Sequence, residues 1–125
     1  IDVRTGTLRC VDGGHCPPLI AGPEGVRKLA TVKKLPIGAF GDEEYEEAEY
    51  TLKPGESIVL YTDGITEAEN ARGEWFTLNR LIGTLEAAGS GKPKDVANRV
   101  LEDVFAFAAG HPQSDDIALM VLKFG

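Results

Sequence analysis

Apolar residues fall into two kinds of run along this chain. In the middle, Ile58-Val59-Leu60-Tyr61 is unbroken, follows the turn signal Pro54-Gly55 and ends in Thr62-Asp63-Gly64. This pattern predicts a strand whose tip carries one carboxylate. Gly64 lets the backbone turn there or come close to another segment. The last run, Ile117–Phe124, is apolar nearly throughout and predicts an interior strand entered through Ser114-Asp115-Asp116. Between these runs the spacing changes to three and four. Leu78, Leu81, Ile82 and Leu85 predict a helix with Thr77 as N-cap and Gly89 as its stop. Pro93 opens a second helix, where a missing N–H costs nothing. Val96, Val100, Leu101, Val104, Phe105 and Ala108 form its apolar stripe, and Gly110 ends it.

The first half of the chain is shorter in its rhythm. Asp2–Val11 reads as a β-hairpin turning at Arg4-Thr5-Gly6, with Thr7–Val11 as the return strand. Asp12–Pro18 is a loop, because two glycines and two prolines break any regular element. Leu19–Ala21 resumes as a strand, Pro23-Glu24-Gly25 turns it, and Val26–Leu29 runs back. Leu35–Phe40 is irregular and apolar and is expected against the core. Tyr45–Leu52 alternates as a half-exposed strand does. The tight turn Lys53-Pro54-Gly55 joins it to the central strand as an antiparallel hairpin. Strands, two helices and a final strand place the chain in the α+β class, with helices packed on a mainly antiparallel sheet. Neither a repeat nor a linker divides it.

With 125 residues, 42% of them hydrophobic and 26% charged, the chain has the makings of one ordinary domain. The net charge of −7 argues against a nucleic-acid partner, which needs a basic face. Much of the acid lies in Asp42–Glu49, read as a solvated loop leading into a strand. No apolar run reaches the length of a membrane span. Cys10 and Cys16 form no C-x-x-C pair, and a reducing, cytoplasmic setting is expected. Cys10, His15, Cys16 and His111 match none of the usual zinc spacings, so free thiols are expected. The first residue is Ile1, and the chain reads as cut from something longer.

Two places combine an apolar strand with an acid at its end: Asp63, after its strand, and Asp115-Asp116, before the last one. If these strands are antiparallel neighbours, the acids converge. Carboxylates gathered at one sheet edge repel each other unless a cation lies between them, and oxygen-only ligation suits Mg²⁺ or Mn²⁺. Such a centre lowers the pKa of a bound water and clamps a phosphoryl group. The same aspartates would serve equally as turn formers. A covalent phospho-aspartate mechanism of the haloacid-dehalogenase type fails, since its nucleophile would fall at Tyr61.

Four stretches carry a resemblance. Val11–Ile20 is similar to an "AGHPPPLL" segment, Leu35–Ala39 to "LPLG", Leu52–Glu67 to "L-x-P-G-D-x-L-x-L-Y-T-D-G-V-T-E", and Gln113–Leu122 to a closing "DDxTLLVL". Together they resemble the PPM-type metal-dependent serine/threonine phosphatases, in the bacterial branch that regulates sigma factors and sporulation. The resemblance covers nearly the whole chain. It implies two stacked antiparallel sheets flanked by helices, with a two-metal Mn²⁺ or Mg²⁺ centre between the sheets. There a metal-bound water attacks phosphoserine or phosphothreonine on a partner of anti-anti-sigma-factor type. Asp63 and Asp115 match metal-binding aspartates, Asp116 falls where relatives have Asn or Asp, and Gly64 matches the glycine that lets the site pack closely. His15 sits in the "GHP" loop, where a structural role is expected, and Glu67 and Glu69 are expected in solvent.

This sequence also departs from the pattern. Relatives begin with a strand bearing a "GDxxGHG"-like motif whose aspartate bridges both metals, and residues 1–125 contain no such segment. The chain therefore resembles the C-terminal portion of the catalytic domain, incomplete and inactive by itself. An upstream sensor or regulatory domain is implied, and the exposed sheet edge should seek a partner or form a homodimer. Asp12-Gly13 replaces the usual Asn-Ala, Cys16 replaces proline, and Thr77-Leu78-Asn79 replaces Gly-x-Glu after Phe76. A non-catalytic, protein-binding module is the alternative reading.

Overall fold

The computed structural model describes residues 1–31, 38–39, 41–42 and 44–125. The expectation for Leu35–Phe40 lies outside the described residues, apart from Gly38 and Ala39. The elements run β1 (Thr7–Val11), β2 (Leu19–Gly22), β3 (Gly25–Lys28), β4 (Glu47–Thr51), β5 (Ser57–Tyr61), α1 (Asp63–Thr66), α2 (Thr77–Ala88), α3 (Pro93–Ala108) and β6 (Leu119–Lys123). They form an α+β fold with two antiparallel sheets. One has the order β3-β2-β5-β6 and the other pairs β1 with β4.

The four-stranded sheet sorts its side chains by alternation. Leu19, Ala21, Val59 and Tyr61 point to one face, where Leu81, Leu85, Val96, Val100 and Val104 of α2 and α3 close a buried core. Ile20 and Ile58 point to the other face and meet Leu8, Leu29 and Leu52 beneath the small sheet. Both faces of β2 are therefore dry. Burial and the nearby Cys16 raise the Tyr61 hydroxyl to about 12, so it stays neutral, as a core group must.

A buried carboxylate ties the small sheet to the large one. Glu56 accepts from the Arg27 guanidinium at 2.7 Å and from the Lys53 backbone N–H at 2.9 Å. Tyr50, on β4, adds its hydroxyl to the same cluster and hydrogen-bonds Arg27 as well. A Cβ on Gly22 would stand 2.9 Å from Glu56 Cγ, so the glycine makes room for this cluster.

Several expectations need correction. Residues 2–6 form a tight turn, closed by Gly6 N–H to Asp2 O at 2.8 Å, and supply no strand. Strand β1 pairs instead with β4, Leu8 opposite Tyr50. The Lys53-Pro54-Gly55 turn joins no hairpin: β4 and β5 go to different sheets, and β5 pairs with β2 and β6. Strand β6 lies at the edge of its sheet, with Met120 52% and Leu122 42% exposed. Its apolar character had suggested an interior place. Thr77 does not cap α2: it lies inside the first turn at φ 73°, and no side-chain cap bond forms. On α3, Val96, Val100 and Val104 are buried, but Phe105 is exposed and Phe107 packs inward against Phe76. Pro93 opens α3, as its missing N–H predicted.

Candidate metal centre

Strands β5 and β6 are antiparallel neighbours, with Tyr61 opposite Leu119. The tip of one therefore lies beside the entry to the other. Thr62 ties them: its N–H donates to Ala118 O at 3.1 Å, and its hydroxyl donates to Asp116 O at 3.0 Å. The same hydroxyl accepts from Ala118 N–H at 2.9 Å. Asp63 then opens α1, a single turn closed by Glu67 N–H to Asp63 O at 2.8 Å.

Gly64 has no space for a side chain. A Cβ there would stand 2.1 Å from Asp116 O and 3.3 Å from Asp115 O. Only glycine lets the Asp63 turn lie flat on the Asp115-Asp116 turn. The second turn is also held from within. Asp115 Oδ1 accepts from Asp116 N–H at 2.7 Å, and Gln113 Nε2 donates to Asp115 O at 2.6 Å. The carboxylates of Asp63, Asp115 and Asp116 belong to exposed residues.

The donor chemistry suits a hard cation, since it offers carboxylate oxygens alone. The number of donors falls short. Among the described residues, no group of three or more His, Cys, Asp or Glu is gathered closely enough to hold a metal. The turns converge, but their three carboxylates do not form a closed cage. The same holds for Cys10, His15, Cys16 and His111. Cys10 and Cys16 are half-buried, and burial, followed by the neighbouring Asp12, raises the Cys10 thiol.

His15 lies at the surface, with Nδ1 3.3 Å from Cys16 O. Beside it, the buried Asp12 holds the loop: its carboxylate accepts from Gly14 N–H at 2.9 Å and from the Thr31 hydroxyl at 3.0 Å. Glu67 and Glu69 are half-buried. The residue that sequence reasoning missed is Thr62. A hydroxyl directly before a strand-tip aspartate was the available signal, and it does the work of joining the two turns.

Two antiparallel sheets, flanking helices and two acid-bearing turns docked at one sheet end make up an α+β domain. A family model described as stage II sporulation protein E (SpoIIE) matches residues 1–125, and the chain belongs to that family. Protein IcfG of Synechocystis sp. is 28% identical over 122 residues, covering 98% of this chain and 19% of that protein. Phosphoserine phosphatase RsbP of Bacillus subtilis is 30% identical over 67 residues, covering 54% of this chain and 17% of that protein. The phosphatase domain of the cell fate determinant SpoIIE from B. subtilis, presoaked with Mn, superposes with a TM-score of 0.75 at 18% identity. That match covers 99% of this chain and 53% of the solved one, and it speaks for the fold. The chain thus spans under a fifth of the curated relatives it matches and about half of that domain. Among the described residues, no helix is long and apolar enough to cross a membrane.

Proposed function

We propose that residues 1–125 are the C-terminal portion of a metal-dependent catalytic domain that removes phosphate from phosphoserine or phosphothreonine. The substrate is a regulatory partner protein of the anti-anti-sigma-factor type. The observation that carries this reading is the docking of the Asp63 turn on the Asp115-Asp116 turn, with Gly64 too close to Asp116 O for any Cβ. Asp63 and Asp115, with Asp116 beside them, would contribute to holding Mn²⁺ or Mg²⁺ once further ligands complete the set. Such a cation, when bound, masks the charge of a phosphoryl group and makes water more acidic. Thr62 and Gly64 keep the two acid-bearing turns in register, and Gln113 fixes the backbone at Asp115. In the complete natural polypeptide that carries this chain, Asp63→Asn is expected to abolish Mn²⁺-dependent hydrolysis of a phosphoserine peptide. Full activity in that variant would sink the assignment.

One observation favours a second reading. Among the described residues, the three aspartates at the turns are not arranged as a group that could hold a metal ion, as in a module that binds a phosphorylated partner without turnover. Calorimetry of this chain with Mn²⁺ separates the two states of the site. Tight uptake of two ions would show a centre complete within residues 1–125, and weak or absent uptake would show that further ligands are required.

A further inference from the structure

Helix α3 ends in an unusual way. Ala109 adopts the left-handed conformation at φ 48° and ψ 44°, and Gly110 follows at φ 85°. An alanine in this region costs about 1–2 kcal/mol, so the surroundings must impose it. The result is an abrupt reversal, with His111 N–H bonded to Ala108 O at 2.9 Å. The chain then runs from Pro112 to Ile117 along the end of α3 and leaves a cavity of about 230 Å³ between that segment, α3 and α1.

The lining is mainly apolar: Ala68, Val104, Phe105, Ala108 and Ile117 contribute walls, and Glu69 and Gln113 bring polar groups. Phe105, 55% exposed, gives it a large apolar surface open to solvent. The volume is below the roughly 300–1,000 Å³ typical of small-molecule sites, so a single bulky side chain is a better match than a cofactor. Gly64 and Ser114 also line the cavity. They are the chain neighbours of Asp63 and Asp115, about 3.8 Å away from Cα to Cα. The cavity is therefore continuous with the two docked turns.

We infer that this cavity is a specificity pocket that takes one aromatic or large aliphatic side chain of the phosphorylated partner, close in sequence to the phosphoresidue. The inference rests on the phosphatase reading above for the identity of that partner. The cavity adjoins the two turns, and an extended peptide advances about 3.3 Å per residue, so the occupant is a near neighbour of the phosphoserine in sequence, on either side of it. Glu69 and the net charge of −7 disfavour an acidic residue at that position.

The test uses the complete natural polypeptide and a set of fluorescent phosphoserine peptides on an alanine background. Each peptide places Phe or Asp at one position near the phosphoserine. Binding is read by anisotropy without metal, and hydrolysis by phosphate release with Mn²⁺. At one position Phe should improve binding and kcat/KM about tenfold over Ala, the scale of a filled apolar pocket, and Asp should weaken both. Ala108→Phe fills the cavity and Phe105→Ala strips its exposed wall, so each should bring the Phe-to-Ala ratio towards one. Because the ratio is taken within each variant, loss of folded protein does not imitate the effect, and the exposed Phe105 tolerates truncation. Hydrolysis with no positional preference, or a preference kept by both variants, overturns the pocket and leaves the phosphatase reading standing. A preference lost in both variants, with no peptide hydrolysed, supports the pocket and overturns the phosphatase reading.

Discussion

The two faces of the four-stranded sheet are built from the same strands and end in different states. On one face, Val59 and Tyr61 of β5 are sealed under α2 and α3. On the other, Ile58 is buried under the small sheet, but Leu60, Met120 and Leu122 remain exposed. Leu60 is paired with Met120 and Ile58 with Leu122, so the exposed side chains form one continuous strip. The β1-β4 pair covers the β2 side of this face and stops short of β6. Alternation alone does not decide burial. A face is dry only where another element lies over it.

The sharpest test of this contrast sets one leucine from each side against the other. Leu81 of α2 is fully buried in the helix-covered core. Leu81→Ala should cost about 2–5 kcal/mol, because the surrounding side chains cannot fully collapse into the gap. Leu122→Ala on the open face should cost about 1 kcal/mol or less, since much of that side chain is already in water. Urea denaturation of the 125-residue chain, read by far-UV circular dichroism, gives both numbers. Equal costs would mean that the open face is covered in solution.

A smaller effect tests how the partial cover is held. The small sheet meets the large one through Leu8 and Leu52 and through the Glu56 cluster. Glu56→Gln keeps the shape but removes the charge that Arg27, Tyr50 and the Lys53 N–H all address. The expected loss is about 1–3 kcal/mol, the range for a buried hydrogen-bonded charge. Hydrogen exchange should show the loss concentrated in β1 and β4, with the α2-α3 side unchanged. Uniform loss of protection would mean that the two sides unfold as one unit.

What could be read in the sequence follows the same division. The helices were legible because Leu81, Leu85, Val96, Val100 and Val104 repeat at helical spacing and their cover is local. The β2-β3 turn was legible in Pro23-Glu24-Gly25. The partner of β4 was not, because tight turns such as Lys53-Pro54-Gly55 usually close hairpins, and here the chain crosses from one sheet to the other. Strand β6 was misplaced for a related reason: Ile117–Phe124 shows that a strand is apolar, not whether a neighbour lies beside it. At the site, Asp63 and Asp115-Asp116 stood out as acids at strand ends, and their turns do meet. Thr62 did not stand out, because its part is a pair of backbone contacts more than fifty residues away along the chain. The cavity beside α3 depends on the left-handed Ala109, and nothing in an alanine announces that conformation.

The smallest predicted effect concerns the covered face, and it has the opposite sign. Thr77 enters α2 at φ 73°. A β-branched residue is poorly suited to this region, where L-residues pay about 1–2 kcal/mol relative to glycine. The phosphatases that this chain resembles carry glycine after the equivalent of Phe76, so the departure seen in the sequence falls on a backbone position that calls for glycine. Thr77→Gly should therefore stabilise the chain, even though glycine loses more freedom on folding, by about 0.5–1 kcal/mol relative to alanine. The strain relieved exceeds that loss by a few tenths to about 1 kcal/mol, visible as a higher urea midpoint at unchanged slope. Thr77→Ala keeps the positive φ penalty and should gain nothing. A stabilising alanine together with a destabilising glycine would show that Thr77 leaves the left-handed region in solution and that α2 begins in a different conformation.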